Sequence, residues 1–210
     1  MRNKRRHGEP HLPVRQAVEW VRDTAFDLWN MIHPEKGPRP KPNHRWIGPQ
    51  VGWFKCNVDG AFSENNHTGA TGVVIRDHDG QFKVGRAVWH NEAHDALLME
   101  AKACRDGIEM AQQLGVSKLC LETDCLQLIN LWNTLHTQKS AVSLILRDIC
   151  SASKSFDEFT FIFANRSCNR VAHECARQVS CSNVLEEWHD NPPYYLQGLL
   201  ADDCNHTIIE

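Results

Sequence analysis

Three acidic side chains stand in apolar segments, where an unpaired charge is unfavourable. Asp59 lies in a strand-like run, Glu100 on the apolar stripe of a helical run, and Asp124 at the end of a further apolar run. A carboxylate in such a place loses hydration, which either a bound dication or a salt bridge to Arg or Lys can replace. A salt bridge explains any one of these acids alone. Carboxylates that converge without basic partners repel one another unless a cation lies between them, so the three together predict a metal site of the kind that cleaves phosphodiesters.

Hydrophobic periodicity predicts the elements that position these acids. Three strands separated by turn-forming sequences form an antiparallel meander, and a helix with Glu100 on its apolar stripe follows. A buried strand then ends at Asp124, at the edge of the sheet where ligand sites of α/β folds gather. The predicted strands are 53–62, 69–77, 81–90, 118–123 and 158–164, and the predicted helices are 93–114, 125–135, 141–153 and 169–179. This order indicates an α/β fold with a mixed five-stranded sheet flanked by helices.

Five short motifs follow one another along residues 53–203. They are Asn57-Val-Asp59-Gly-Ala-Phe62, Gly69-Ala-Thr-Gly-Val-Val-Ile-Arg-Asp77, Glu100-Ala-Lys-Ala103, Leu121-Glu-Thr-Asp124 and Asn169-Arg-Val-Ala-His-Glu-Cys-Ala-Arg177. With these motifs in this order, the chain resembles the type 1 ribonuclease H domains, and more narrowly the reverse transcriptase-like ribonuclease H domains that are common in plants. The segment from Trp188 to Asp203 is similar to the end of those plant domains. The resemblance implies a ribonuclease H-like fold.

The same resemblance implies a reaction and a set of site residues. Members of the family hydrolyse the RNA strand of an RNA/DNA hybrid with two divalent ions, usually Mg²⁺, held about 4 Å apart by acidic side chains. Carried over residue by residue, the catalytic and metal-binding positions are Asp59, which would bridge both ions, Glu100, Asp124 and His173. The implied nucleic-acid contacts are Gly60, Ala61, Arg166 and Asn169.

Two positions depart from the family pattern. His173 occupies the place of the fourth acid, and imidazole is a poor Mg²⁺ ligand, so the second ion would be held more weakly unless Mn²⁺ or water substitutes. His173 without any metal role is an equally good interpretation. The adjacent Glu174 lies about 100° around the helix and would have to rotate inward to replace it. Arg166 stands in the loop where bacterial relatives carry a mobile histidine, either as a phosphate contact or as a solvated arginine.

Two functions therefore stay open. The retained acids favour metal-dependent endonucleolytic hydrolysis of the RNA strand of hybrids. The alternative is a catalytically degenerate, retroelement-derived module that binds nucleic acid or a protein, and His173 and the charge distribution favour it. Residues 1–50 carry ten basic and five acidic side chains, whereas residues 51–210 carry thirteen and twenty-one. An acidic domain should bind a polyanionic hybrid weakly and with strong salt dependence.

The chain is predicted to have three parts. In residues 1–50, apolar side chains from Val14 to Ile32 recur at helical spacing, which predicts an amphipathic helix, and five prolines then predict a stiff linker. Residues 51–187 form the ribonuclease H-like domain, and residues 188–210 form a tail that packs on it or extends it. We expect the first part to be dispensable for folding, with its helix packed on the domain or bound to a protein partner.

The cysteines and the hydropathy of the sequence indicate the cellular compartment in which the protein is expected. The nine cysteines show no CxxC pair and no metal-ligand grouping with histidine, which predicts buried free thiols in a reducing compartment. The sequence has no apolar segment of transmembrane length and no secretory signal. We therefore expect an intracellular protein, in the nucleus or the cytoplasm, that is not secreted and has no membrane partner.

Overall fold

The computed structural model describes residues 45–137 and 139–204, and its centre is a mixed six-stranded sheet. The strands are β1 (Phe54–Ser63), β2 (Thr68–Arg76), β3 (Phe82–His90), β4 (Lys118–Thr123), β5 (Glu158–Phe163) and β6 (Leu185–His189). They lie in the order β5-β4-β1-β2-β3-β6. The pairs β1–β4 and β4–β5 are parallel, and the other three pairs are antiparallel. This arrangement confirms the predicted α/β fold with a mixed, helix-flanked sheet.

Within the described residues, five α-helices connect and cover the strands. They are α1 (Ala96–Gln113), α2 (Leu126–Asn133), α3 (Ala141–Ala152), α4 (Arg170–Ala176) and α5 (Tyr194–Cys204). The side chain of Asp95 accepts a hydrogen bond from the amide of Leu98 and so caps α1, and Ser140 and Ser143 form a reciprocal capping box on α3. Across the described residues, no helix combines the length and apolar character needed to cross a bilayer. The amphipathic helix predicted within residues 1–50 lies outside the described residues.

The sheet has one strand more than the five predicted. Strand β6 pairs with β3 and forms one edge of the sheet, and its residues alternate between exposed and half-buried. Its first residue, Leu185, is 58% exposed, so hydrophobic alternation does not mark this strand. Helix α5 follows and buries Leu196 and Leu200 against the sheet. The segment after the predicted last helix therefore extends the sheet by a strand and covers part of it with a helix.

Hydrophobic side chains cover both faces of the sheet because alternate residues of β2 point to opposite sides. Val73 and Ile75 belong to the cluster under α1 and α3, whereas Ala70 and Val74 belong to the cluster under α4 and α5. Two glycines allow the helices to approach closely. A side chain at Gly60 would collide with the backbone of α1, and a side chain at Gly72 would collide with the backbone of α4.

The segment before β1 contributes a core residue. Trp46 is 5% exposed, and its indole N–H donates a hydrogen bond to Oδ1 of Asn57 over 3.0 Å. The guanidinium of the fully buried Arg76 lies 3.5 Å from the centre of the indole ring. A domain that starts at residue 51 would lack this contact, so a shortened chain that keeps the fold should begin before Arg45.

Candidate metal centre

The register of two parallel strands brings two of the acids together. The last paired residues of β1 and β4 are Val58 and Thr123. Asp59 and Asp124 directly follow them, one after each strand's last paired residue, and therefore lie side by side. Helix α1 crosses β1 at Gly60, which carries Glu100 to the same place. One ligand oxygen from each of the three carboxylates lies within 4.8 Å of the other two. The structure thus assembles Asp59, Glu100 and Asp124 as the sequence predicted.

Burial and mutual repulsion dominate the electrostatics of this cluster. Burial raises the pKa of Asp59, and the neighbouring Asp124 raises it further. Burial together with Asp59 and Asp124 raises the pKa of Glu100 to about 8, against smaller opposing effects of the Gly60 amide and the Thr123 hydroxyl. Among the described residues, no Lys or Arg forms an ion pair with any of the three acids. Within the described residues, a salt bridge to Arg or Lys therefore does not explain this cluster.

Such a cluster fits a hard divalent cation. Its ligand atoms are all carboxylate oxygens, which Mg²⁺ prefers, and three carboxylates leave room for the waters and phosphate oxygens that complete its shell. Mn²⁺ accepts the same ligands. A cation here would also offset the burial and the mutual repulsion that together raise the pKa values of Asp59 and Glu100.

Two polar side chains hold the carboxylates in place. The hydroxyl of Thr123 donates to Oε2 of Glu100 over 3.4 Å and accepts from the amide of Cys125 over 3.1 Å. The amide nitrogen of Asn169 donates to the carbonyl of Val58 over 2.8 Å and to Oδ1 of Asp124 over 3.1 Å. Sequence reasoning did not single out Thr123, although it stands directly before Asp124 in its motif.

Asn169 differs from the role expected for it. Its side chain was predicted to contact nucleic acid, but the residue is fully buried, and its amide nitrogen is bonded to β1 and Asp124. Its Oδ1 is buried without a hydrogen-bond partner in the described part of the chain. Because no part of Asn169 reaches the surface, we reassign it to holding Asp124 beside β1.

His173 lies beside the carboxylate cluster and outside it. Its Nδ1 is 3.1 Å from Oδ2 of Asp59, and its Nε2 is 3.4 Å from a guanidinium nitrogen of Arg166. The group of mutually close ligand atoms does not include it. Glu174 does not substitute, because its carboxylate accepts hydrogen bonds from Arg177 and Gln178. The structure therefore brings together three of the four residues predicted to bind metal.

The cluster opens into a cleft of about 480 Å³. Of the predicted nucleic-acid contacts, Gly60, Ala61 and Arg166 line this cleft, together with His173. The cleft is also lined by side chains that the sequence did not point to, namely Phe62, Ala96, Leu97, Cys125 and Gln127. They belong to the ends of β1, α1 and α2 that meet around the acids, so only the assembled fold identifies them.

Solved structures with the same fold define the class of domain. The N-terminal RNase H domain of a Mycobacterium tuberculosis protein aligns with a TM-score of 0.55 at 16% identity, over 61% of this chain and 92% of that one. RNase H1 of Halobacterium salinarum aligns with a TM-score of 0.52 at 17% identity, over 60% and 96%. LC11-RNase H1, solved in complex with an RNA/DNA hybrid, aligns with a TM-score of 0.55 at 15% identity, over 60% of this chain and 95% of that one. The chain therefore contains a ribonuclease H-like fold.

The family can be stated more narrowly. Residues 57–179, more than half of the chain, match the family described as reverse transcriptase-like, and the chain belongs to that family. A protein of Arabidopsis thaliana that carries the provisional name ribonuclease H protein is 24% identical over 195 residues. That match covers 90% of this chain but only 31% of the relative, so the chain spans about a third of the relative's length.

Proposed function

We propose that the protein is a metal-dependent endonuclease that hydrolyses the RNA strand of RNA/DNA hybrids. One observation carries the proposal: three carboxylates from β1, α1 and the end of β4 converge in an open cleft, and none of them forms an ion pair with a Lys or Arg of the described residues. The ribonuclease H-like fold supports the choice of reaction. A relative of the same fold was solved with an RNA/DNA hybrid, which supports the choice of substrate.

Each residue of the site has a task in this reaction. Asp59, Glu100 and Asp124 would hold the divalent cation, with Mg²⁺ as the first choice and Mn²⁺ as a substitute. A bound cation supplies an activated water and stabilises the charge that develops on the phosphate and the leaving oxygen. Thr123 and Asn169 keep the carboxylates oriented. The resemblance to the family implies two ions. The contacts of His173 beside Asp59 affect whether a second ion can bind there.

The cleft wall suits a nucleic-acid backbone. Gly60 and Ala61 line it with almost no side chain, which lets a sugar-phosphate chain approach the acids. Arg166 is exposed at the same cleft and offers a guanidinium to a phosphate. Because most charges of the domain are acidic, we expect binding to hybrids to be weak and to fall steeply with salt.

Cleavage of a labelled hybrid tests the proposal. The purified full chain should cut only the RNA strand, with Mg²⁺ or Mn²⁺, and leave 3′-hydroxyl and 5′-phosphate ends. Asp59→Asn should abolish cleavage, whereas Asp106→Asn should not, because Asp106 is a buried acid on α1 that bonds to Thr71 away from the cleft. Equal cleavage by the parent chain and Asp59→Asn would assign the activity to a contaminant.

One observation favours the second candidate function, a degenerate module that binds nucleic acid or a protein without cleaving. In place of a fourth acid, His173 is hydrogen-bonded to Asp59 and contacts Arg166. If the chain binds hybrid in a gel-shift assay but leaves it intact with both Mg²⁺ and Mn²⁺, this second function replaces the first.

A further inference from the structure

Arg166, His173 and Asp59 form a chain of contacts at the edge of the metal centre. A guanidinium only donates hydrogen bonds, so the contact of 3.4 Å assigns Nε2 of His173 as the acceptor. In the neutral ring the proton then lies on Nδ1, which donates to Oδ2 of Asp59 over 3.1 Å. Both ring nitrogens are engaged by these contacts. His173 therefore has no free lone pair with which to bind a cation.

The same contacts change the charge on this side of Asp59. Where the family has an acid, this chain has a histidine ring with a guanidinium behind it. A second dication beside Asp59 would have one anionic ligand fewer and would lie near the positive charge of Arg166, which repels it.

Arg166 is also placed to act on a substrate. It is exposed and lines the cleft that contains the three carboxylates. Its contact with His173 uses one nitrogen of the guanidinium, and among the described residues the other N–H groups stay available for the paired hydrogen bonds that suit a phosphate. His173 thereby holds Arg166 at the cleft and ties it to Asp59.

We propose that this centre binds one divalent cation, through Asp59, Glu100 and Asp124, and that Arg166, positioned by His173, supplies the second positive charge to the scissile phosphate. The inference rests on the proposed function. In this proposal Arg166, before α4, and His173, within α4, together take the place of the second ion. The ion count therefore depends on positions 166 and 173 and can be measured without any cleavage.

Electron paramagnetic resonance of bound Mn²⁺ tests the count. Mn²⁺ takes the oxygen ligands of Mg²⁺, and two neighbouring Mn²⁺ ions give an exchange-coupled spectrum that an isolated ion does not. Ions at the centre are counted as the difference between the full chain and its Asp59→Asn variant. This difference removes ions held elsewhere, such as at the turn of Asp77, His78 and Asp79, whose ligand atoms also lie close together.

The parent chain should hold one isolated ion at the centre. The double variant Arg166→Ala/His173→Asp should hold two and show the coupled spectrum. Arg177→Ala is the matched control, because Arg177 ends α4 and pairs only with Glu174 among the described residues, and it should hold one. A coupled pair in the parent, or a single ion in the double variant, would overturn the inference and leave the proposed function standing. No ion at the centre in any variant would overturn the proposed function itself.

A kinetic comparison adds a second readout. Arg166→Ala should lower kcat by roughly 10²-fold with both metals, the usual effect of losing a donor to transition-state charge. Arg166→Lys should recover part of this loss, since it restores the charge without the paired geometry. A change confined to KM would show that Arg166 only binds the strand, and the second half of the inference would be wrong.

Discussion

Two neighbouring groups of side chains contain acids at least half-buried in the protein, and their charges are compensated differently. Glu122 of β4 pairs with Lys55 of β1 over 2.7 Å and accepts a hydrogen bond from Asn57 over 2.9 Å. Two residues after Asn57 and Glu122 come Asp59 and Asp124, which form no ion pair with a Lys or Arg among the described residues. We call Lys55, Asn57 and Glu122 the paired network and Asp59, Glu100 and Asp124 the carboxylate cluster.

The difference shows that this fold can satisfy a buried acid internally where no ligand is needed. The paired network continues from Asn57 to Arg76 and Trp46, so its charges and amides are bonded within the protein. The carboxylate cluster lies in the cleft and has no Lys or Arg ion pair among the described residues. An uncompensated cluster beside a compensated one indicates a place for an external cation, and each prediction below changes one of the two groups.

The largest effect is expected on catalysis. Asp124→Asn should lower the rate of hybrid cleavage by roughly 10³-fold or more, about 4 kcal/mol of transition-state stabilisation, because it removes an anionic ligand and keeps the shape. Glu122→Gln changes the acid two residues earlier and should leave at least a tenth of the activity in the protein that stays folded. Measured rates per folded molecule compare the two. Equal losses would mean that the paired network also belongs to the catalytic site.

The next effect concerns stability. Lys55→Met leaves Glu122 buried without its cation, and breaking a buried pair in this way costs about 3–5 kcal/mol in the free energy of unfolding. Replacing both residues with Lys55→Met/Glu122→Leu should recover most of that loss. Urea unfolding of the parent, the two single variants and the double variant gives the coupling energy. A small loss in Lys55→Met would show that Glu122 finds another partner.

The carboxylate cluster should respond to pH in the opposite sense to an ordinary salt bridge. The pKa of Glu100 is raised from 4.5 to about 8, so the folded protein keeps a proton that the unfolded chain releases. The free energy of unfolding without metal should therefore fall as pH rises from about 4.5 towards 8, by up to about 1.4 kcal/mol per pKa unit. Glu100→Gln should flatten this slope, and Mg²⁺ should restore stability at pH 8. Urea unfolding in the presence of a chelator at several pH values measures this dependence. A free energy of unfolding that does not change with pH in the parent protein would contradict the prediction.

A smaller effect is expected from the residue that orients Asp124. Asn169→Ala removes the donor to Asp124 and should weaken Mn²⁺ binding by about 10- to 100-fold, the usual effect of losing a group that orients a metal ligand. Asn165→Ala is the control, because Asn165 is exposed and makes no side-chain cap. Titration calorimetry compares the affinities. Unchanged affinity in Asn169→Ala would show that its role is confined to holding β1.

The carboxylate cluster could be predicted from sequence because each acid lies in an apolar segment whose element type is clear. Glu100 lies on the apolar stripe of a long helix and Asp59 and Asp124 on two strand-like runs, and the family resemblance implies that they meet, whereas the β1–β4 register that brings them together is seen only in the fold. Strand β6 could not be predicted in the same way, since Leu185 at its start is exposed and its pairing is visible only once β3 is placed. The Lys55–Glu122 pair was hidden for a related reason, because the residues are far apart in sequence.

The least predictable part was the surroundings of α4. Its seven residues follow a short 3-10 turn at Arg166–Cys168, and the direction of each side chain depends on how closely α4 approaches Gly72. That approach buries Asn169 and turns His173 towards Asp59. A single sequence shows residue types in this segment but not the depth at which the helix lies. Before the fold is known, the sequence therefore does not show whether His173 binds the metal itself or donates a hydrogen bond to a residue that does.

The smallest effect is expected at that position. His173→Asp places a hard oxygen ligand beside Asp59 in place of a ring that is already hydrogen-bonded, so Mg²⁺-supported cleavage should rise relative to Mn²⁺-supported cleavage. We expect the ratio of the two rates to change roughly fivefold, about 1 kcal/mol. His189→Asp, on the edge strand β6, makes the same exchange away from the cleft and should leave the ratio unchanged. An unchanged ratio in His173→Asp would mean that this side of Asp59 does not influence the metal, and the carboxylate cluster alone would then determine the metal preference.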